Sequence, residues 1–199
     1  VAGGLVAVLS WIEGPGAVKH VGALLRVRLG ERGPRAGAPS PRLEALAAAL
    51  RKAGADVEVV ADVERATWEK FLLIEPWGAV AAVARAPAGV VRSVPETRAL
   101  LVSAQEELAA LARARGVALA PDAVARALAT VDGVPPEGTA SMQRDLGAGK
   151  PSELEDQVGA VVRLAREAGV PVPLHEAIYG ALLPQERAAR GQIARFPRT

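Results

Sequence analysis

The sequence predicts an α+β chain, β-rich over residues 1–61 and all-helical over 62–199. Three observations carry this. The first is an apolar opening, Val1 to Ile12, followed by Glu13-Gly-Pro-Gly16. A short apolar run that stops at a turn signal reads as a buried strand. The second is alternation, with Leu25, Val27 and Leu29 interleaved by Arg26 and Arg28. That is the period of a half-buried strand. The third is a change of period near Asp62, after which apolar residues recur at helical spacing.

The elements follow in order. Ala17–Val21 and Leu24–Leu29 read as two short strands after the first turn. Gly30–Pro39 is a Gly-, Pro- and Arg-rich loop. Ser40 is an N-cap with Pro41 at the first helical position. Leu43, Leu46, Ala47 and Leu50 then form one helical face, and Gly54 ends it. Asp56–Ala61 is a strand, so the helix between is a crossover. Asp62 caps a helix through Trp68, Phe71 and Ile74, which Pro76 should end or kink near Glu75. A second helical stretch reaches Arg85. Pro87–Pro95 connects to a long helix, Glu96–Arg115, closed by Gly116. A shorter helix spans Pro121–Val131, and Asp132–Gly138 is a loop. Ser152–Ala168 reads as a helix opened by a Ser152–Glu155 capping box. The last helix runs from Leu174 to Arg190.

Composition narrows the function. The chain has 199 residues, half of them hydrophobic, and no cysteine. A chain this long buries roughly 70% of its unfolded surface, so it needs no disulfide staples. Disulfide, Cys-based zinc and thiol chemistry are excluded. The net charge is +2 with the signs interspersed, so the basic stripe of a nucleic-acid binder is missing. Three Trp, two Phe and one Tyr offer few stacking platforms. No segment reaches 18 uncharged apolar residues, and the opening run has no basic flank, so neither a membrane span nor a leader is expected. A cytoplasmic protein fits. The absence of Asn and the Pro-rich loops fit a thermophile, though a GC-rich genome gives much the same bias.

The candidate chemistry is sparse. His20 and His175 lack metal spacing and read as surface or capping residues. Gly147-Ala-Gly-Lys150 resembles a phosphate loop, but Arg144 stands where the pattern needs Gly, and Pro151 where it needs Ser or Thr. No G-x-G-x-x-G follows a strand. Lys70 lies among large apolar groups in Trp68-Glu-Lys-Phe-Leu-Leu-Ile74. It either snorkels or is desolvated, and desolvation lowers an ammonium pKa toward proton-donor range. Ser141-Met142 and Ser152-Glu-Leu-Glu-Asp156 form a second cluster. There Glu153 and Asp156 can share a helix face, with Glu153 in a first turn favoured by the helix dipole.

Taken together these segments resemble ketopantoate reductase (2-dehydropantoate 2-reductase). The resemblance runs from Gly14-Pro-Gly16 through Trp68-Glu-Lys-Phe71, Thr139-Ala-Ser-Met142 with Asp145, and Ser152-Glu-Leu154. It continues through Gly159, Gly169-Val-Pro-Val-Pro173 and Ile178-Tyr179. It implies that residues 1–61 are a partial Rossmann-like domain. Residues 62–199 would be a substrate and dimerisation domain like the C-terminal domain of 6-phosphogluconate dehydrogenase. It implies NADPH-dependent reduction of ketopantoate to pantoate, on the route to pantothenate. Lys70 would protonate the carbonyl oxygen, Glu153 would be the active-site carboxylate, and Ser141 would bind substrate. No metal is implied. The family's usual Asn residues fall at Ile74 and Gly78, so the substrate preference is open. The family's Gly-rich cofactor turn would precede Val1, with on the order of 100 residues of nucleotide-binding fold. The chain alone is therefore expected to bind no NADPH. The alternative is a non-catalytic relative serving as a dimerisation or ligand-binding module. In either case the apolar strand Val1–Ile12 is expected to be covered in a homodimer.

Overall fold

The computed structural model describes residues 1–38 and 40–194. The chain forms two compact units, Val1–Thr67 and Trp68–Thr199, and it has the α+β composition expected.

The first unit is a three-stranded sheet in the order β1-β2-β3, with one helix. Strands β1 (Ala2–Gly14) and β2 (Ala17–Glu31) form a long antiparallel hairpin. Pro15 and Gly16 turn it, and Gly16 has φ +73°. Pro before a positive-φ Gly is the type II turn pattern. The two short strands expected over 17–29 are one strand, and the ladder shifts register between Val8 and Ser10. A 3-10 turn, Gly33–Arg35, leads to helix α1 (Pro41–Lys52). Ser40 caps α1 by accepting from the Leu43 amide at 3.4 Å. Strand β3 (Asp56–Val59) then pairs parallel to β2, as a crossover helix demands. Val27, Leu29, Ala47 and Val57 form this unit's core. Leu46, expected on the buried face, is 46% exposed. Val6, Val8, Leu9, Trp11 and Ile12 of β1 are exposed as well.

Helix α2 (Val63–Ala84) begins in the first unit, and the Asp62 carboxylate accepts from the Arg65 amide at 2.8 Å. The second unit contains the rest of α2, then α3 (Ala88–Ser93), α4 (Pro95–Ala114), α5 (Ala123–Asp132), α6 (Ser141–Ala148), α7 (Val158–Ala168) and α8 (Pro173–Ala189). Neither α3 nor α6 was expected from the sequence. Buried Leu101 and Ala104 of α4 pack with Ala79–Ala82 of α2 and with Ile178 and Leu182 of α8. Leu108, Leu111 and Ala112, further along α4, pack with Trp68 and Leu72 of α2 and with Val161 of α7.

The helix end expected near Pro76 does not occur: α2 runs through it. Proline removes the N–H that would reach the Leu72 carbonyl. The Gln105 amide of α4 donates to that carbonyl instead, at 3.4 Å. Tertiary packing replaces the lost bond, so the helix continues.

His175 is neither surface nor cap. It is fully buried, with Nδ1 2.6 Å from a Glu107 oxygen and Nε2 3.1 Å from a Glu75 oxygen. Glu107 also accepts from the Leu174 and His175 amides, so it caps α8. Burial by itself disfavours the imidazolium, but the two carboxylates outweigh it and raise the His175 pKa to about 9. Burial opposes charge on Glu107 too. The His175 bond and the two amides still hold its carboxyl below the usual range.

The sign of the pH effect follows. A raised histidine pKa stabilises fully below the ordinary value of 6.5, and the effect is lost as pH rises through about 9. The urea midpoint should therefore fall between pH 7 and pH 10. His175→Ala should cost about 3–5 kcal/mol at pH 7, since it leaves the buried Glu75 carboxyl without its partner and takes the cation from Glu107. Its midpoint should also lose the alkaline fall.

Candidate functional site

Because α2 is continuous, Lys70, Ile74 and Gly78 lie along one stripe of it, successive residues one turn apart. Lys70 and Ile74 are half-buried and Gly78 is buried. Lys70 stands about 12 Å along the helix axis from Gly78. Trp68 and Phe71 meet edge to face with ring centres 6.0 Å apart.

Ser141 opens α6 and is exposed. Its two neighbours hold it against α2. A Cβ placed on Gly78 would lie 3.4 Å from Met142 Cε and 3.5 Å from Ala140 Cβ. Met142 is buried in the core. Gln143 fastens the helix start: its Oε1 accepts from the Ala140 amide at 3.2 Å, and its Nε2 donates to the Ala86 carbonyl at 3.0 Å.

Glu153 is exposed, between two fixed neighbours. Ser152 is buried and donates both its amide and its hydroxyl to the buried Glu186 carboxylate of α8. Arg190 donates to Glu186 at 2.6 Å and to the Ser152 carbonyl at 2.9 Å. On the other side, Leu154 is fully buried, and its amide donates to the Ser152 hydroxyl at 3.2 Å.

This geometry corrects the helix expected over 152–168. Helix α7 starts at Val158, and Ser152–Gln157 is a turn segment. The Ser152–Glu155 capping box is absent, because Ser152 is committed to Glu186. Glu155 instead accepts from the Tyr179 hydroxyl at 2.9 Å. Glu153 and Asp156 therefore share no helix face, and Glu153 lies outside the first turn of α7.

Gln157 was not anticipated. Its Nε2 donates to a Glu153 oxygen at 2.7 Å. Its Oε1 lies 4.0 Å from the position of a Cβ on Gly78. Gly78 is thus the point where α2, the start of α6 and the Glu153 turn come together. Position 78 carries no amide of its own, yet an amide reaches it from the segment before α7.

Among the described residues no group of His, Asp and Glu could hold a metal ion. No helix there is long and apolar enough to cross a membrane.

A family profile described as ketopantoate reductase PanE/ApbA C terminal matches residues 62–186. The chain belongs to the ketopantoate reductase family. A 2-dehydropantoate 2-reductase of Halobacterium salinarum is 33% identical over 162 residues, 80% of this chain and 51% of that protein. One from Pyrobaculum aerophilum is 29% identical over 141 residues, 71% of this chain and 50% of that protein. A solved PanE/ApbA family ketopantoate reductase from Ralstonia eutropha superposes with a TM-score of 0.82 at 30% identity. It covers 95% of this chain and 60% of its own. A D-mandelate dehydrogenase shares the fold at 18% identity and a TM-score of 0.81. The chain spans about half the length of the curated ketopantoate reductases it matches.

The Glu186 cluster yields a prediction. Glu186→Ala leaves the buried Ser152 amide and hydroxyl without an acceptor, at about 1–3 kcal/mol for each donor. The urea midpoint should fall accordingly. Arg190→Ala should lower the midpoint as well, since it leaves the buried Glu186 carboxylate without its cation.

Proposed function

We propose that the helical unit binds and protonates 2-dehydropantoate during its reduction to pantoate. The observation that carries this reading is the convergence on the Gly78 stripe of the segments bearing Ser141 and Glu153, on the same helix as Lys70. In this reading the ketone carbon takes a hydride and its oxygen takes a proton from the Lys70 ammonium. A cation beside the developing alkoxide stabilises that charge and then supplies the proton. Ser141 hydrogen-bonds the substrate. Glu153, held by its anchored neighbours, orients the bound acid.

The family's reductant, NADPH, would supply the hydride. The described residues do not fit it. The start of α1, which follows the hairpin, is where a crossover helix would present its amides to a phosphate. It is closed by the buried carboxylate of Glu31. That carboxylate pairs with Arg42, accepts from the Ser40 hydroxyl, and has its pKa lowered to about 2 by those bonds. We therefore assign no cofactor step to this chain by itself, and expect NADPH fluorescence to be unchanged on adding it. The exposed apolar row of β1 supports a homodimer through that edge. Sedimentation should give a dimer at micromolar concentration, and a monodisperse monomer would sink that part of the reading.

The test joins this chain to the nucleotide-binding region of a family member and follows pantoate formation. Lys70→Ala should lower kcat by about 100- to 10,000-fold with an unchanged circular dichroism spectrum. Turnover insensitive to Lys70, or none at all in the fusion, would favour a non-catalytic ligand-binding relative.

A further inference from the structure

We infer that Gln157 is a specificity-determining residue, its Oε1 accepting a hydrogen bond from a hydroxyl of the bound acid. The inference rests on the proposed 2-oxo acid site. The Gln157 side chain is half-buried, and its amide is orientated at one end only. Nε2 is fixed on Glu153 at 2.7 Å. A carboxylate is acceptor-only when ionised, so this bond decides which end of the amide faces Glu153. The oxygen is thereby turned the other way, toward Gly78, 4.0 Å from where a Cβ would stand there.

No donor among the described residues reaches that oxygen. It is also not sealed in. Among the described residues, the enclosed polar side-chain atoms without a partner are Glu75 Oε1, Trp77 Nε1 and Gln105 Oε1. Gln157 Oε1 is thus an unpartnered acceptor at the meeting point of the Ser141 and Glu153 segments, reachable by a ligand. Only a donor can satisfy it. The carboxylate and ketone of a 2-oxo acid are acceptors, so the complementary group is an aliphatic hydroxyl. No side chain of α2 stands beside the amide at Gly78, where Met142 Cε and Ala140 Cβ lie 3.4 and 3.5 Å from a Cβ position.

The chemistry selected is that of a hydroxylated 2-oxo acid over the same skeleton without the hydroxyl. A site that hydrogen-bonds a hydroxyl rejects the analogue lacking it, because the site's polar group is then left unpaired. A purely structural role for Gln157, as a brace on Glu153, predicts no such discrimination.

The experiment measures binding to the 199-residue chain by calorimetry, with 2-dehydropantoate and 3-methyl-2-oxobutanoate as the pair. Wild type should prefer the hydroxylated acid. Gln157→Ala and Gln157→Met should each reduce that preference by about tenfold, chiefly by weakening the hydroxylated ligand. Met keeps the bulk over Gly78, so it separates loss of the acceptor from loss of packing. A preference retained in both variants overturns the role of Gln157 and leaves the proposed function standing. Wild type that binds neither acid overturns the proposed function, and this inference with it.

Discussion

The helical unit depends on how α4 completes α2 around Pro76. Proline leaves the Leu72 carbonyl without its intrahelical donor, and Gln105 supplies one from α4. One residue earlier, Glu75 is fully buried and shares His175 with Glu107. Gln105 of α4 thus serves the Leu72 carbonyl of α2 directly, and the imidazole joins Glu75 of α2 and Glu107 of α4 to α8. Burying charge in this way is costly unless it is paired. Here the pairing spans three helices, so none can shift without exposing an unmatched carboxylate. The consequence reaches the candidate site. Had α2 broken at Pro76, Lys70 and Gly78 would sit on separate elements. Kept whole, it holds them on one rigid stripe.

A second constraint acts on Glu153. The carboxylate itself is exposed, but the residues on either side of it are not. Ser152 is bound through amide, hydroxyl and carbonyl to Glu186 and Arg190, and Leu154 is locked in the core. An exposed carboxylate on an anchored backbone is what the proposed orientation of a ligand requires. Gly159 serves the same turn. A Cβ there would meet Glu155 Oε2 and Arg163 NH1 at 3.0 Å and Tyr179 Cε2 at 3.1 Å. A side chain at Gly159 would therefore crowd the Glu155–Tyr179 contact.

What the sequence made legible was local. Ser40 before Pro41, Asp62 before α2 and Gly16 after Pro15 each act within four residues, and each was readable. The failures share a cause, which is distance along the chain. Pro76 signalled a break because its remedy, Gln105, lies 33 residues from the carbonyl it serves. His175 looked superficial because its partners are 68 and 100 residues away. Ser152 carried a sound capping signal, yet Glu186, 34 residues on, takes the amide that a capping box would give to Glu155. The family was legible because its signal lies in the order of several weak motifs, which no single contact can override. Lys70, Ser141 and Glu153 entered by that resemblance. Gln157 could not, since nothing local distinguishes a glutamine at a helix start from a solvated one.

The relation between Gly78 and Gln157 bears on how such a site changes. A side chain on α2 and one from the α7 approach address the same space from opposite sides. Removing the first, down to a hydrogen at Gly78, opens room for the second, and Met142 and Ala140 fill the remainder at ordinary contact distance. Oxygen as acceptor can then be presented from a different element without moving any helix. What differs is its coupling. An amide on α2 would be set by that helix alone, whereas Gln157 is hydrogen-bonded to Glu153. The orientation of the amide is therefore set by that bond rather than by α2.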